Sequence, residues 1–367
     1  MKLTFLFAAF LFVLSAFSQN CSSDILLQTP GILKADAAAG GGALKATDLA
    51  KQKNVLASIA GMIKSKYSPM GVQAISHENY GSGSANRPAN DYTYSIIPLN
   101  YYCEGSAVKT AHETSTYFAI SANFMEAEIY DTAQGDRLLA EGFNVLDAIP
   151  VEKNGCWHFG EKDADLGFGM KGKSSAWLIT YDHKLPFAYV TKKEFLKKRQ
   201  QALFVQMQMS AADAKDVLER IEIEKKYKET ELKNDPEKFK NYMKMDYQQT
   251  KERYEKLLAD NEKKYKPAFD KIETQLKMPA SELNQQAIVK IDPNDYLSYL
   301  FTDGNDPFGK ILIKPNPGYF NTKLPKSSPQ FIWVYLRGNH KEPIATKFMT
   351  DIMKAADFAV LKDMLGK

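Results

Sequence analysis

The spacing of apolar residues first indicates a helix near the start of the chain. From about Ala43 to Tyr67 these residues recur at steps of three and four, at Leu49, Leu56, Ile59, Ala60 and Ile63. That period places them on one face of a helix. Pro69 and Gly71 follow directly, and both residue types stop helices. The sequence therefore predicts a first helix over 43–67.

Between Val72 and Val190 the pattern becomes that of β-strands. Short runs rich in aromatic and β-branched residues are separated by clusters of Gly, Asn and Asp, as is typical of antiparallel sheets. The predicted strands are 92–97, 117–122, 127–130, 176–181 and 187–190. Together with the preceding helix, they indicate an α+β domain.

A long helix-forming stretch comes next. Thr191 and Glu194 have the spacing of a capping box, so a helix should begin there. Asn234-Asp235-Pro236 interrupts the stretch, and proline is tolerated in the first turn of a new helix. We therefore predict two long antiparallel helices joined near 233–236, each with one narrow apolar stripe. Gaps and tyrosines in the stripe argue against a regular leucine coiled coil.

Strand-like runs return after Met278-Pro279. They lie at 287–291, 311–313 and 331–336 and are separated by turn-forming Pro, Gly, Asn and Ser residues. A last helix is predicted from about Ile344 to Leu365, with a bend near Asp357.

These elements give the fold class α+β, with antiparallel sheet, flanking helices and a long helical hairpin arm. Strands on the two sides of the arm could belong to one discontinuous domain. We favour two separate domains, because each half has a helix and several strands of its own. The predicted order is a signal peptide at 1–18, a flexible tether at 19–42, an α+β domain at 43–190, the hairpin at 191–280 and a C-terminal α+β domain at 281–367.

The N-terminal residues have the order of a secretory signal. Lys2 precedes the apolar run Leu3–Val13, and small residues follow at Ala16 and Ser18. The run is shorter than the roughly 20 residues that span a bilayer. We expect cleavage before Gln19 and export to the periplasm or the cell exterior. No later run is apolar enough to predict a membrane span.

The three cysteines fit an oxidising compartment. Cys103 and Cys156 lie in one predicted domain, whereas Cys21 lies in the tether, so we predict a Cys103–Cys156 disulfide, with two free thiols at these positions as the alternative. Acylation of Cys21 is the alternative fate of that residue. The preceding Ser18-Gln19-Asn20 fits a lipoprotein signal poorly.

The charge pattern excludes a nucleic-acid partner. The 48 basic and 44 acidic residues alternate, and the net charge is only +4. A G-x-G-x-x-G spelling at 167–172 is preceded by an acidic loop and followed by a strand-like run. A dinucleotide site needs the opposite context, a strand before and a helix after. We therefore interpret it as a loop and predict no cofactor.

One cluster of reactive side chains stands out as a weak candidate site. His158, Glu161, Asp163 and Asp165 are close in sequence, and imidazole and carboxylate groups bind metals. The series lacks the continuation of a calcium loop, so a solvated acidic loop is the simpler interpretation. No metal is predicted there.

Two surfaces are candidates for binding. Tyr92, Tyr94, Tyr101 and Tyr102 would suit sugar rings or a protein if they are exposed on the sheet. The helical arm offers regularly spaced anchors for a protein partner.

These features lead to one preferred function and two alternatives. The segment Lys184–Leu196 resembles segments of uncharacterised exported bacterial proteins and implies no chemistry. We expect a non-enzymatic protein of a bacterial envelope that binds a protein or envelope polymer through the arm or the tyrosines. A secreted hydrolase with a site near His158 is one alternative, and a small-molecule carrier is the other. No oligomeric state is predicted.

Overall fold

The computed structural model describes residues 21–81, 87–125, 141–146, 148–167 and 169–367. The predicted signal peptide at 1–18 and the predicted strand at 127–130 lie outside these residues.

The described residues fold into helices and strands, numbered in chain order. The helices are α1 (Ser23–Gln28), α2 (Ala46–Lys66), α3 (Lys192–Glu231), α4 (Pro236–Tyr242), α5 (Gln248–Gln275), α6 (Ala280–Leu283), α7 (Pro343–Ala355) and α8 (Phe358–Asp363). A π-helical turn, Met243–Tyr247, joins α4 to α5. The strands are β1 (Ile32–Ala35), β2 (Ala39–Gly40), β3 (Val72–Tyr80), β4 (Tyr92–Glu104), β5 (Ala107–Thr110), β6 (Tyr117–Ala122), β7 (Asn144–Leu146), β8 (Val151–Lys153), β9 (Cys156–Asp165), β10 (Lys171–Ile179), β11 (Phe187–Tyr189), β12 (Ile288–Asp292), β13 (Asp295–Phe301), β14 (Lys310–Pro315) and β15 (Ile332–Gly338). The fold is α+β, as predicted.

The chain forms two compact units, each built from separated stretches. Unit 1 comprises residues up to Met125, Val151–His183 and Asn321–Lys367. Unit 2 comprises Glu126–Pro150 and Lys184–Phe320.

Unit 1 contains a mainly antiparallel sheet of ten strands among the described residues. Its order is β1-β3-β4-β6-β15-β10-β9-β8, with β2 added to β3 and β5 added to β4. The pairings of β1 and β2 with β3 are parallel. The core lies between this sheet and helices α2 and α7, and its fully buried members include Leu56, Ile59, Phe118, Val334 and Phe348.

The C-terminal strand of unit 1 changes the predicted domain plan. β15 pairs with β6 on one side and with β10 on the other. Its side chains from Ile332 to Leu336 are buried, so this strand completes the sheet begun by the N-terminal half. The structure therefore divides the chain differently from the predicted domains at 43–190 and 281–367. It also differs from the alternative of one discontinuous domain, because β12, β13 and β14 lie in a second sheet that belongs to unit 2.

The stretch expected to be a tether is part of unit 1. The Ser22 hydroxyl accepts a hydrogen bond from Ile25 N and starts α1, and Leu26 of that helix is buried in the core. β1 then pairs with β3. The prediction of a flexible tether at 19–42 is wrong for its described part, because residues before Ala37 supply enough apolar side chains and backbone pairing to fold.

The disulfide joins Cys21 to Cys103, with a Cα–Cα distance of 5.6 Å. Cys156 is a buried free cysteine whose thiol donates to Lys153 O at 3.2 Å. The predicted Cys103–Cys156 pair is therefore wrong. The error follows from the tether prediction, since the folding of residues 21–35 brings Cys21 to strand β4.

Unit 2 combines a five-stranded sheet, counted among the described residues, with the predicted helical hairpin. The sheet has the order β11-β14-β12-β13, with β7 also on β14. The capping box starts α3 as predicted: Thr191 Oγ1 accepts from Glu194 N at 3.2 Å, and Glu194 Oε2 accepts from Thr191 N at 3.0 Å. Asp235 accepts from Lys238 N and starts α4 at Pro236.

Helices α3 and α5 run antiparallel. Asn261 Nδ2 donates to Met207 O at 2.9 Å, and further along the pair Tyr247 Oη donates to Glu222 Oε1 at 2.5 Å. The hydrophobic core of unit 2 takes buried residues from the ends of the hairpin, up to Leu203 and from Tyr265 onward. We call the intervening residues 204–264 the distal hairpin.

Candidate functional site

The four residues of the predicted acidic cluster all lie on strand β9, but they do not form a metal site. The carboxylates of Glu161 and Asp163 lie 3.6 and 2.9 Å from Lys173 Nζ on the paired strand. Asp165 pairs with Lys171 at 2.8 Å. Hydrogen bonds from these lysines hold the pKa of Asp163 and of Asp165 below the usual range. Within the described part of the chain, no group of three or more His, Cys, Asp or Glu residues could hold a metal ion.

His158 lies apart from those ion pairs. Its ring stacks on Trp177 of β10, with the centroids 5.2 Å apart. Burial lowers its pKa, and the positive charge of Lys153 lowers it further. The arrangement favours a neutral imidazole that packs against an indole.

The four tyrosines of the second candidate surface do not share an exposed face. Tyr92 and Tyr94 are 2% and 1% exposed, and both belong to the core of unit 1. Tyr101 packs against the same core, and only Tyr102 is exposed, at 40%. The predicted aromatic surface is therefore wrong, because alternate tyrosines of β4 fill the space beneath helix α2.

Hydrogen bonds to the loop before β15 account for the polar group of the buried Tyr92. Tyr92 Oη donates to Ser327 O at 2.8 Å. The Ser327 hydroxyl accepts from Gln52 Nε2 at 3.1 Å and from Asn90 Nδ2 at 3.0 Å. These contacts fix the loop before β15, so we assign them to the fold.

A cleft of about 380 Å³ in unit 1 is the second place where polar groups meet. Its lining includes Asn100, Thr116, Arg337 and Glu342. The Glu342 carboxylate starts helix α7 by accepting from Ile344 N, and it also accepts from Asn100 Nδ2 at 2.9 Å. The Glu342 carboxylate of the cleft is thus already engaged in holding the start of a helix.

The hairpin carries a feature that the sequence-based predictions did not include. Besides Phe204, four large apolar side chains of α3 are exposed: Val205 at 48%, Met209 at 60%, Ile223 at 62% and Tyr227 at 64%. Val205 and Ile223 are 18 residues apart, which is about five turns at 3.6 residues per turn. Met209 and Tyr227 have the same separation. The four side chains therefore lie along one line of the helix, which we call the outer stripe.

The outer stripe is opposite the face that packs inward. Ala214 is buried, and it is nine residues from both Val205 and Ile223, or about two and a half turns. Leu203 and Ile221 are also buried on that inner side. The apolar stripe predicted for this helix is the inner one, although the four- and eighteen-residue spacings of the outer stripe are also present in the sequence.

A groove borders the N-terminal end of the outer stripe. It has a volume of about 510 Å³, and its described lining includes Lys198, Ala202, Val205 and Met209. Glu141, which also lines the groove, accepts from the Arg199 guanidinium at 2.5 Å, and the same guanidinium donates to Leu297 O at 2.8 Å. Both charged side chains of that pair are almost fully buried. This end of α3 is therefore anchored, while the outer stripe along it is open.

No known protein family, curated protein or solved structure matches the chain significantly. Among the described helices, none has the length and apolarity needed to cross a bilayer.

Proposed function

We propose that the chain is an exported protein of a bacterial envelope that binds another protein through the outer stripe, in a non-catalytic role. The outer stripe is the observation that carries this proposal. Large apolar side chains that cluster on a surface mark interaction sites. Complete burial of such a side chain contributes about 1.5–3 kcal/mol, and covering these four, which are about half exposed, contributes part of that each.

The geometry of the stripe favours a helical partner. Val205 and Met209 form one i, i+4 pair, and Ile223 and Tyr227 form another on the same line. Such a repeat fits the side-chain spacing of a second helix laid along α3. Envelope polymers rich in sugar are bound by exposed aromatic faces in polar clefts, and Tyr227 is the single aromatic residue of the stripe.

The Cys21–Cys103 disulfide supports export, because disulfides persist outside the reducing cytoplasm. The order of charged, apolar and small residues at the N-terminus supports the same assignment.

Capture from a cell-envelope extract tests the proposal. The baits are the chain from Gln19, its Ile223→Ser/Tyr227→Ser variant and a matched Phe204→Ser variant. Phe204 is 52% exposed on the same helix but lies about 100° away from the stripe. We expect Ile223→Ser/Tyr227→Ser to lose the captured protein and Phe204→Ser to retain it. Equal recovery by all three baits contradicts binding through the outer stripe.

A further inference from the structure

We propose that the protein bound by the outer stripe is a second copy of this chain, docked antiparallel about a two-fold axis at Asp216. This inference rests on the proposed function and names its partner. It follows from the charges beside the stripe, because the two i, i+4 pairs of apolar residues match an antiparallel copy of α3 in one register only.

The apolar residues are the first part of that symmetry. Asp216 is eleven residues from both Val205 and Tyr227, and seven residues from both Met209 and Ile223. When two copies of α3 pair antiparallel at Asp216, Val205 of each copy meets Tyr227 of the other, and Met209 meets Ile223. A two-fold interface requires such reciprocity, in which one residue contacts a second and the second contacts the first.

The charges beside the stripe have the same centre. On one flank, Asp213 of one copy comes opposite Arg220 of the other, within about one residue of register. Both side chains are exposed, and the axis repeats the pairing. Opposite charges therefore meet twice beside the apolar line, which favours the antiparallel orientation and this register.

The centre itself is polar, and its charges are balanced. Asp216 pairs with Arg220 of its own chain at 3.1 Å. Ala212 is four residues before the axis and Arg220 is four residues after it, so each arginine faces a small side chain in the other copy. The two arginines offset the repulsion between the two Asp216 carboxylates.

The size of the stripe sets the strength of the dimer. Val205 and Tyr227 are about 33 Å apart along the helix at 1.5 Å per residue. A strip of that length and about 10 Å wide buries roughly 700 Å² in both copies together, below the 1,200 Å² or more of standard stable interfaces. We therefore expect a reversible dimer that forms at micromolar concentrations and above.

Sedimentation equilibrium of the chain from Gln19 is the first test. The apparent mass should rise from monomer to dimer with concentration. Ile223→Ser/Tyr227→Ser should weaken the dimer by at least about tenfold through loss of apolar burial. Phe204→Ser should leave it within about twofold. A monomer throughout the concentration range overturns the inference.

Cysteine cross-linking tests the register. Asp216→Cys should form an intermolecular disulfide with itself under mild oxidation. Ala212→Cys alone and Arg220→Cys alone should not, because each cysteine is about 12 Å along the axis from its copy, beyond disulfide reach. A mixture of Ala212→Cys and Arg220→Cys should cross-link. Cross-linking of the single variants at the level of the mixture overturns the antiparallel register.

The two proposals fail in different ways. A monomeric chain that still captures a protein through the outer stripe overturns self-association and leaves the proposed function in place. A monomeric chain with no stripe-dependent capture overturns both.

Discussion

Two regions of the molecule differ in which side chains they bury. In unit 1, Gln52, Asn90 and Ser327 are polar and completely or almost completely buried. In the distal hairpin, the apolar residues of the outer stripe are 48–64% exposed. The polar side chains of unit 1 bind one another, so the fold itself accounts for them. Nothing described in unit 2 covers the outer stripe, which makes it the stronger sign of function.

The largest effect on stability is expected from breaking the buried ion pair of unit 2. Arg199→Met leaves Glu141 buried without its guanidinium partner. We expect a loss of about 3–5 kcal/mol in the free energy of unfolding of unit 2, measured by urea denaturation. The neighbouring exposed Lys197→Met is the matched control, with a change within about 0.5 kcal/mol. Equal effects of the two variants would mean that the pair does not hold α3 to the core.

Removal of the disulfide should change the stability of unit 1 and leave that of unit 2 unchanged. Cys21→Ser removes a cross-link between residues 82 positions apart and should cost unit 1 about 2–4 kcal/mol. Hydrogen exchange should show faster opening of β4 and unchanged protection of the distal hairpin.

Peptide mapping of the oxidised wild-type protein should recover Cys21 linked to Cys103, and Cys156 as a free thiol. Recovery of a Cys103–Cys156 peptide instead would contradict the structure.

A smaller loss of stability is expected from removing a hydrogen-bond acceptor in the buried loop before β15 of unit 1. Ser327→Ala removes the acceptor of two buried amide groups and should cost about 1–3 kcal/mol in the free energy of unfolding. Ser328→Ala is the matched control, because the Ser328 hydroxyl is buried with no hydrogen-bond partner in the described structure. Thermal denaturation of both variants measures the two losses of stability. A Ser328→Ala effect as large as that of Ser327→Ala would show that packing, not hydrogen bonding, holds the loop.

The smallest expected effect depends on pH. Hydrogen bonds from Lys290, Phe308 N and Thr302 lower the pKa of Asp306 in unit 2 to about 2. Because this folded-state pKa lies below the unfolded value of about 3.9, the ionised carboxylate stabilises the fold above pH 4. The contribution is lost as the pH falls toward 2. The stability difference between the wild type and Asp306→Asn should therefore shrink between pH 6 and pH 2.5. A constant difference contradicts this assignment.

Local signals predicted the elements well because their causes are local. The Thr191–Glu194 capping box gave the start of α3, and the break at Asp235-Pro236 gave the start of α4. The bend predicted near Asp357 is a helix boundary, where the Asp357 carboxylate accepts from Ala359 N and Val360 N. Each of these signals depends on side chains within a few residues of one another.

Long-range pairing was harder to predict. The position of β15 between β6 and β10 depends on residues more than 150 positions apart, and a strand pattern does not name its neighbour. The same limit applies to Cys21, whose partner follows from the fold of the segment around it. Burial of Tyr92 and Tyr94 also follows from what covers β4, since half-buried and fully buried tyrosines have the same alternation in sequence.

The outer stripe could have been found from sequence. Val205, Met209, Ile223 and Tyr227 keep helical spacing, but most residues between them are polar, so a search for one continuous apolar face passes over them. The structure separates the two faces because it shows which one α5 covers.

The place of β15 in the sheet also sets an order of events during synthesis. The strands on its two sides are made early, yet the gap between them is filled only after every residue of unit 2 has been made. Unit 2 has all of its residues by Phe320 and can fold while unit 1 still waits for a strand. The incomplete sheet of unit 1 leaves β6 and β10 with unpaired edges during that interval, which makes its early strands the part of the nascent chain most in need of protection from aggregation.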